Sequence, residues 1–159
     1  MTQSVSSTAI DYAKISKDLI AGLKSNNRGA SVFSHAYEAP AVGYLVSIRK
    51  YNKQVSTSVT QAVVTRWVKK NIGNGTVLGS WDAGNNVWHL DVNEWFMTPQ
   101  RAWILGAIEG EKAVYDVVSG EDVAIPAELA GDPEFQKSVE YLRTAADRDI
   151  WPYGQLGKP

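Results

Sequence analysis

Between residues 43 and 118 the sequence predicts an α+β fold with further helices before and after it. Two observations carry the prediction. Apolar residues repeat with a strand period in some segments and a helix period in others, so that the elements run β-α-β-β-α-β. A polar turn rich in Asp, Gly and Asn joins the two middle strands.

The elements follow in order. Residues 7–24 read as a helix, with Ile10, Ala13, Ile15, Leu19, Ile20 and Leu23 as its apolar stripe. Ser25-Asn26-Asn27-Arg28-Gly29 ends it. Residues 29–42 show no clear period and close in Ala39-Pro40-Ala41, which reads as a loop or extended arm. In Gly43–Ile48, Tyr44, Val46 and Ile48 share one face of a strand. The basic RKYNKQ segment reads as a loop. Ser56, Thr57 or Ser58 then caps a helix whose stripe is Val59, Ala62, Val63 and Trp67. Lys69 and Lys70 lie in its last turn, where the helix dipole favours cations, and Gly73 and Gly75 end it.

The hairpin pairs Val77–Trp81 with Val87–Val92 across Asp82-Ala83-Gly84-Asn85-Asn86. In its second strand Trp88, Leu90 and Val92 point one way, His89 and Asp91 the other. Thr98 as cap and Pro99 at the first position open a helix through Glu109 that is apolar nearly all round, which predicts deep burial. Residues 113–118 form the last core strand. Asp132 and Pro133 start a further helix with Phe135, Val139 and Leu142 on one side. The aromatic tail, with Trp151 and Tyr153, is expected to dock on the body.

This order is the split, ferredoxin-like arrangement: two helices on one face of a four-stranded antiparallel sheet, the other face open. The length suits a single domain over 1–159, divided into an N-terminal helix and arm (1–42), an α/β core (43–125) and a C-terminal helix and tail (126–159). The absence of cysteine excludes disulfides, thiolate metal sites and cysteine nucleophiles. No apolar run approaches a membrane span, and the N-terminus lacks the basic start and apolar stretch of a signal peptide. A cytoplasmic protein is expected.

Five short motifs run through the core: Gly43-Tyr44-Leu45-Val46-Ser47, Gly79-Ser80-Trp81, Trp88-His89-Leu90-Asp91-Val92, Ala102 to Gly106, and Ala113-Val114-Tyr115-Asp116 to Gly120. Together they resemble small proteins of unknown function from actinobacterial phages and related mobile elements. The resemblance covers about half the chain. It implies a phage or mobile-element accessory protein and brings no catalytic residues.

Charge is segregated along the chain. From Ala39 to Trp81 there are six basic residues and no acid, and from Asp82 to Asp149 fourteen acids against five bases. Such asymmetry marks either a partner surface or two halves that neutralise each other in the fold. Six tryptophans add a second signal. Trp81, Trp88 and Trp103 are expected in the core. Trp95, Phe96, Trp151 and Tyr153 are candidate protein-binding anchors, because aromatic residues carry much interface energy, with core or helix-end packing as their structural alternative.

The expected function is docking on a host or phage macromolecule, with countering of a host defence as one version and self-association as another. A first alternative is nucleic-acid binding through residues 49–70, with Arg49, Lys50, Lys53, Arg66, Lys69 and Lys70 on phosphates. Against it, the strand Val87–Val92 lacks the basic-Gly-aromatic run of RNA-binding sheets, Asp91 repels phosphate, and Trp67 fits a buried stripe. A second alternative is a small enzyme using His89 and Asp91, with Asp116 and Ser47 nearby. One histidine and two aspartates are thin for zinc, so no metal or cofactor is expected. A solvated or partner-covered sheet face explains the same residues. His35 reads as a loop histidine.

Overall fold

The computed structural model describes residues 10–33, 39–75 and 77–146. Among these residues are four α-helices and an antiparallel sheet of seven strands. In chain order the elements are α1 (Tyr12–Leu23), β1 (Gly29–Phe33), β2 (Tyr44–Ser47), β3 (Lys53–Ser56), α2 (Gln61–Asn71), β4 (Val77–Gly84), β5 (Val87–Phe96), α3 (Pro99–Glu109), β6 (Ala113–Asp116), β7 (Glu121–Ala124) and α4 (Pro133–Ala146). Short 3₁₀ turns lie at Arg49–Tyr51 and Ala127–Gly131.

The sheet order is β1-β4-β5-β2-β6-β7, and β3 also pairs with β5. Every pairing is antiparallel. Each helical crossover therefore joins two strands that run parallel with one opposed strand between them: α2 leads from β3, which shares the β5 edge with β2, to β4 around β5, and α3 leads from β5 to β6 around β2.

The ten-residue β5 organises the sheet. One edge pairs with β4; the other is shared, with β3 along Val87–Leu90 and β2 along Asn93–Phe96. Asn52 bridges the gap between the two. Its Oδ1 accepts from the Val92 N–H at 3.1 Å and its Nδ2 donates to Ser47 Oγ, while the Ile48 N–H donates to the Val92 carbonyl at 2.8 Å. The side chain thus stands in for a missing ladder partner, as a half-buried backbone group requires.

Alternation along β5 sends Trp88, Leu90, Val92 and Phe96 to one face. Two apolar clusters form there. Ile15 and Leu19 of α1, Val64, Trp67 and Val68 of α2, and Leu78, Leu90 and Val92 of the sheet make the first. Ala102 and Leu105 of α3 with Val46, Phe96 and Val114 make the second. Ser80, buried on this face, donates to the Leu19 carbonyl at 2.8 Å and ties α1 to β4.

The architecture departs from the expected four strands in several places. Gly29–Phe33, expected as loop, adds β1 to the edge of β4. RKYNKQ is not a loop but the 3₁₀ turn and the start of β3. β7 is a further strand, and β6 ends at Asp116 rather than residue 118. These extra strands are short, four or five residues each. Their pairing partners, rather than their own weak apolar period, hold them.

Local details differ as well. Thr60, not Ser56, Thr57 or Ser58, caps α2 through the Val63 N–H. The buried side of α2 is Val64, Trp67, Val68 and Asn71, whereas Ala62 is exposed. On α3 only Ala102, Leu105 and Gly106 are fully buried, so its apolar girdle is half covered, in part by α4. Thr98 makes no side-chain cap bond; Pro99 opens α3 and Gly110, at φ 73°, closes it in the left-handed conformation. Asp132 accepts from the Glu134 N–H at 3.0 Å, the expected start of α4. His35, Trp151 and Tyr153 lie outside the described residues. Among the described residues no helix is long and apolar enough to cross a membrane.

Candidate functional site

Among the described residues the helices pack against one side of the sheet. His89 and Asp91 lie on the other side of β5, open among the described residues, and Trp81 and Gly79 face them from β4. The Trp81 and His89 rings stack, centroids 4.1 Å apart and planes 17° from parallel. Trp81 is 46% exposed and is not the core residue that the sequence predicts.

The cause is a β-bulge. Asn85 and Asn86, both at positive φ, make a two-residue turn that pairs Gly84 with Val87. A regular ladder would then place Trp81 opposite Leu90, on the helix side. The register shifts between Asp82 and Gly84, so Asp82 pairs with Trp88 and Trp81 with His89. One extra residue turns every following side chain over. Asp82 Oδ1 holds the bulge by accepting from the Gly84 N–H at 2.9 Å.

The open side forms a groove of about 1430 Å³. Ser31, Ser47, Asn52, Asn93, Trp81, His89 and Asp91 are among the residues that line it. A small aromatic cluster lies on the same side of the sheet. Trp95 packs edge-on to Phe33, centroids 5.6 Å apart, and its indole N–H donates to the Val42 carbonyl at 2.7 Å. Leu45 is buried beside it, and Pro40 is buried in the segment above. Gly43 fits here because its φ of +95° is left-handed and an added Cβ would collide with the Trp95 indole nitrogen.

Two of the four expected protein-binding anchors are thereby placed. Trp95 is half-buried under residues 39–43, and Phe96 is 2% exposed in the second apolar cluster on the opposite face. Neither is a free surface anchor. Met97, 62% exposed, is the outward residue of that run.

Electrostatics single out Asp91. Burial pushes its carboxyl up to about 6, against a hydrogen bond from the Trp81 side chain that favours the charged form. Glu111 adds a smaller upward push. Arg49 closes another part of the groove, its guanidinium Nε 2.9 Å from Glu111 Oε1. That partner raises the Arg49 pKa further.

Of the expected chemical cluster, His89, Asp91 and Ser47 share the groove. Asp116 does not join them. It pairs with Tyr44 on the helix side, and its Oδ1 accepts from the Val118 N–H at 3.0 Å in the turn after β6. Among the described residues no group of three or more His, Asp or Glu side chains is placed to hold a metal.

The six expected nucleic-acid residues divide. Arg49 is paired with Glu111. Lys69 turns toward α1, its Nζ 5.7 Å from the Tyr12 ring. Lys50, Lys53, Arg66 and Lys70 converge on a smaller cleft beside α2. Comparison with protein-family models, with curated proteins and with solved structures finds no match to this chain.

Proposed function

We propose that this chain is a small binding protein that docks on a partner protein through the helix-free face of its sheet. The observation that carries this reading is Trp81, a large aromatic left half in solvent in the lining of an open groove. Tryptophan is among the residues that most often anchor interfaces. The groove exceeds the roughly 300–1,000 Å³ of ordinary small-molecule pockets and is open, which suits a protein surface better than a metabolite.

The chemistry of the floor names the contact. Asp91 offers a largely buried carboxyl beside the Trp81 indole. A partner arginine can stack on Trp81 and donate to that carboxylate, because guanidinium is planar, always charged and weakly hydrated.

We read β4, β5, β2 and β6 with α2 and α3 as a ferredoxin-like core that has gained β1, β3 and β7. The split crossovers support this reading. The resemblance to actinobacterial phage and mobile-element proteins supplies the biological setting: a cytoplasmic accessory protein of the host cell, with a component of host defence as one class of partner.

Affinity capture from host lysate tests the proposal, with wild type and Trp81→Ala as parallel baits. The expected result is a protein retained by wild type and lost with Trp81→Ala. Equal retention by both baits argues against the groove.

A further inference from the structure

We propose that the cleft between α2 and the Arg49–Ser56 segment is a second site, which takes the phosphate group of a nucleotide or a nucleic-acid strand. Lys50, Lys53, Arg66 and Lys70 line it, with Tyr51 at the side and Trp67 at the base. Its volume is about 380 Å³, within the range of small-ligand sites. No carboxylate is among its described lining residues. None of the four cations takes part in a salt bridge among the described residues, whereas neighbouring Arg49 does. Arg66 and Lys70 stand four residues apart on one helix, where like charges repel. Four uncompensated cations around one concavity focus a positive potential, and an anion relieves it.

Trp67, 5% exposed, also lines the cleft and roots it in the first apolar cluster. The Tyr51 ring holds Lys50 at the rim, with Nζ 5.0 Å from its centroid.

The topology also removes the objection that Asp91 repels phosphate. Lys53 pairs with Leu90, on the helix side of the sheet, and Asp91 lies on the other. The four cations of the cleft and the Trp81–Asp91 pair therefore lie apart, although Asn52 lines both cavities, and each site can fail without the other.

Fluorescence anisotropy of a short labelled single strand on the full chain, across a potassium chloride series, tests the site. Four phosphate-facing cations predict a log–log salt slope of about −3. The double variant Lys53→Gln/Arg66→Gln is expected to lower affinity at least about tenfold. Lys50→Gln/Lys70→Gln repeats the test from the other pair, and Arg28→Gln, remote from the cleft, is expected to leave affinity unchanged. Displacement of the strand by adenosine triphosphate or inorganic phosphate identifies a small phosphate ligand; binding that neither displaces identifies a strand. Absence of binding by strand, nucleotide and phosphate at low salt overturns the proposal. So does binding that is flat with salt or indifferent to both double variants.

Discussion

The Trp81 indole lies flat on the His89 imidazole, 4.1 Å between centroids, and the same side chain favours the charged form of the Asp91 carboxyl against the upward push of burial. One residue thus tempers an ionisable group that burial alone would keep neutral to higher pH. The arrangement depends on the bulge before Gly84, since a regular hairpin would bury Trp81 on the other face.

Asp91 ties stability to pH. Its native pKa, about 6, stands above the ordinary 3.8, so the native state binds the proton more tightly than the unfolded chain. The stability this group contributes is full below pH 4 and is lost as pH rises through 6. The loss by pH 7 is about 2–3 kcal/mol. Asp91→Asn carries no charge and is expected to be more stable than wild type at pH 7 by about that amount, with the gap closing toward pH 4. Urea unfolding at the two pH values measures it; a gap independent of pH contradicts the assignment.

Trp81→Phe keeps the ring and removes the donor. Because the Trp81 hydrogen bond favours the charged carboxylate, its loss should move the Asp91 titration upward from about 6. Carbon-detected NMR of the carboxyl resonance reads the shift. An unchanged midpoint would mean that the indole only covers Asp91.

Phe96 and Met97 separate core from surface. Phe96→Ala empties a fully buried site against α3 and should cost about 3–5 kcal/mol. Met97→Ala, at a side chain 62% exposed, should fall within about 0.5 kcal/mol. Thermal melts decide between them; equal effects would place Phe96 outside the core.

Gly43 and Gly73 make a second pair. Gly43→Ala forces a Cβ into the Trp95 indole and against the Phe96 carbonyl, 2.7 Å away, at a positive φ. A loss of at least about 2 kcal/mol is expected. At Gly73 an added Cβ meets nothing within 4 Å, so Gly73→Ala should be neutral or slightly stabilising. Chemical denaturation of the two variants checks the contrast.

Much of this molecule is legible from residue periods. The strand alternation of Trp88, Leu90 and Val92 against His89 and Asp91 is enough to place the latter pair on the open face, and Asp132-Pro133 announces α4. Short strands are not legible in the same way. Gly29–Phe33 and Lys53–Ser56 carry little apolar alternation, and their partners β4 and β5 define them. Trp81 is missed because one bulge residue reverses its face, a change that composition does not signal. Phe96 is misjudged for a related reason: β5 runs four residues past Val92, so its alternation continues into the core. Linear charge segregation overstates the basic surface, since Arg49 finds Glu111 from a distant segment.

The most direct test is the affinity of the captured partner for Trp81→Ala, with Lys53→Glu as reference on the separate cleft. At least a tenfold loss for Trp81→Ala, about 1.4 kcal/mol or more, with little change for Lys53→Glu, is the predicted result. Undiminished affinity for Trp81→Ala, or a loss confined to Lys53→Glu, would contradict the helix-free face as the docking surface.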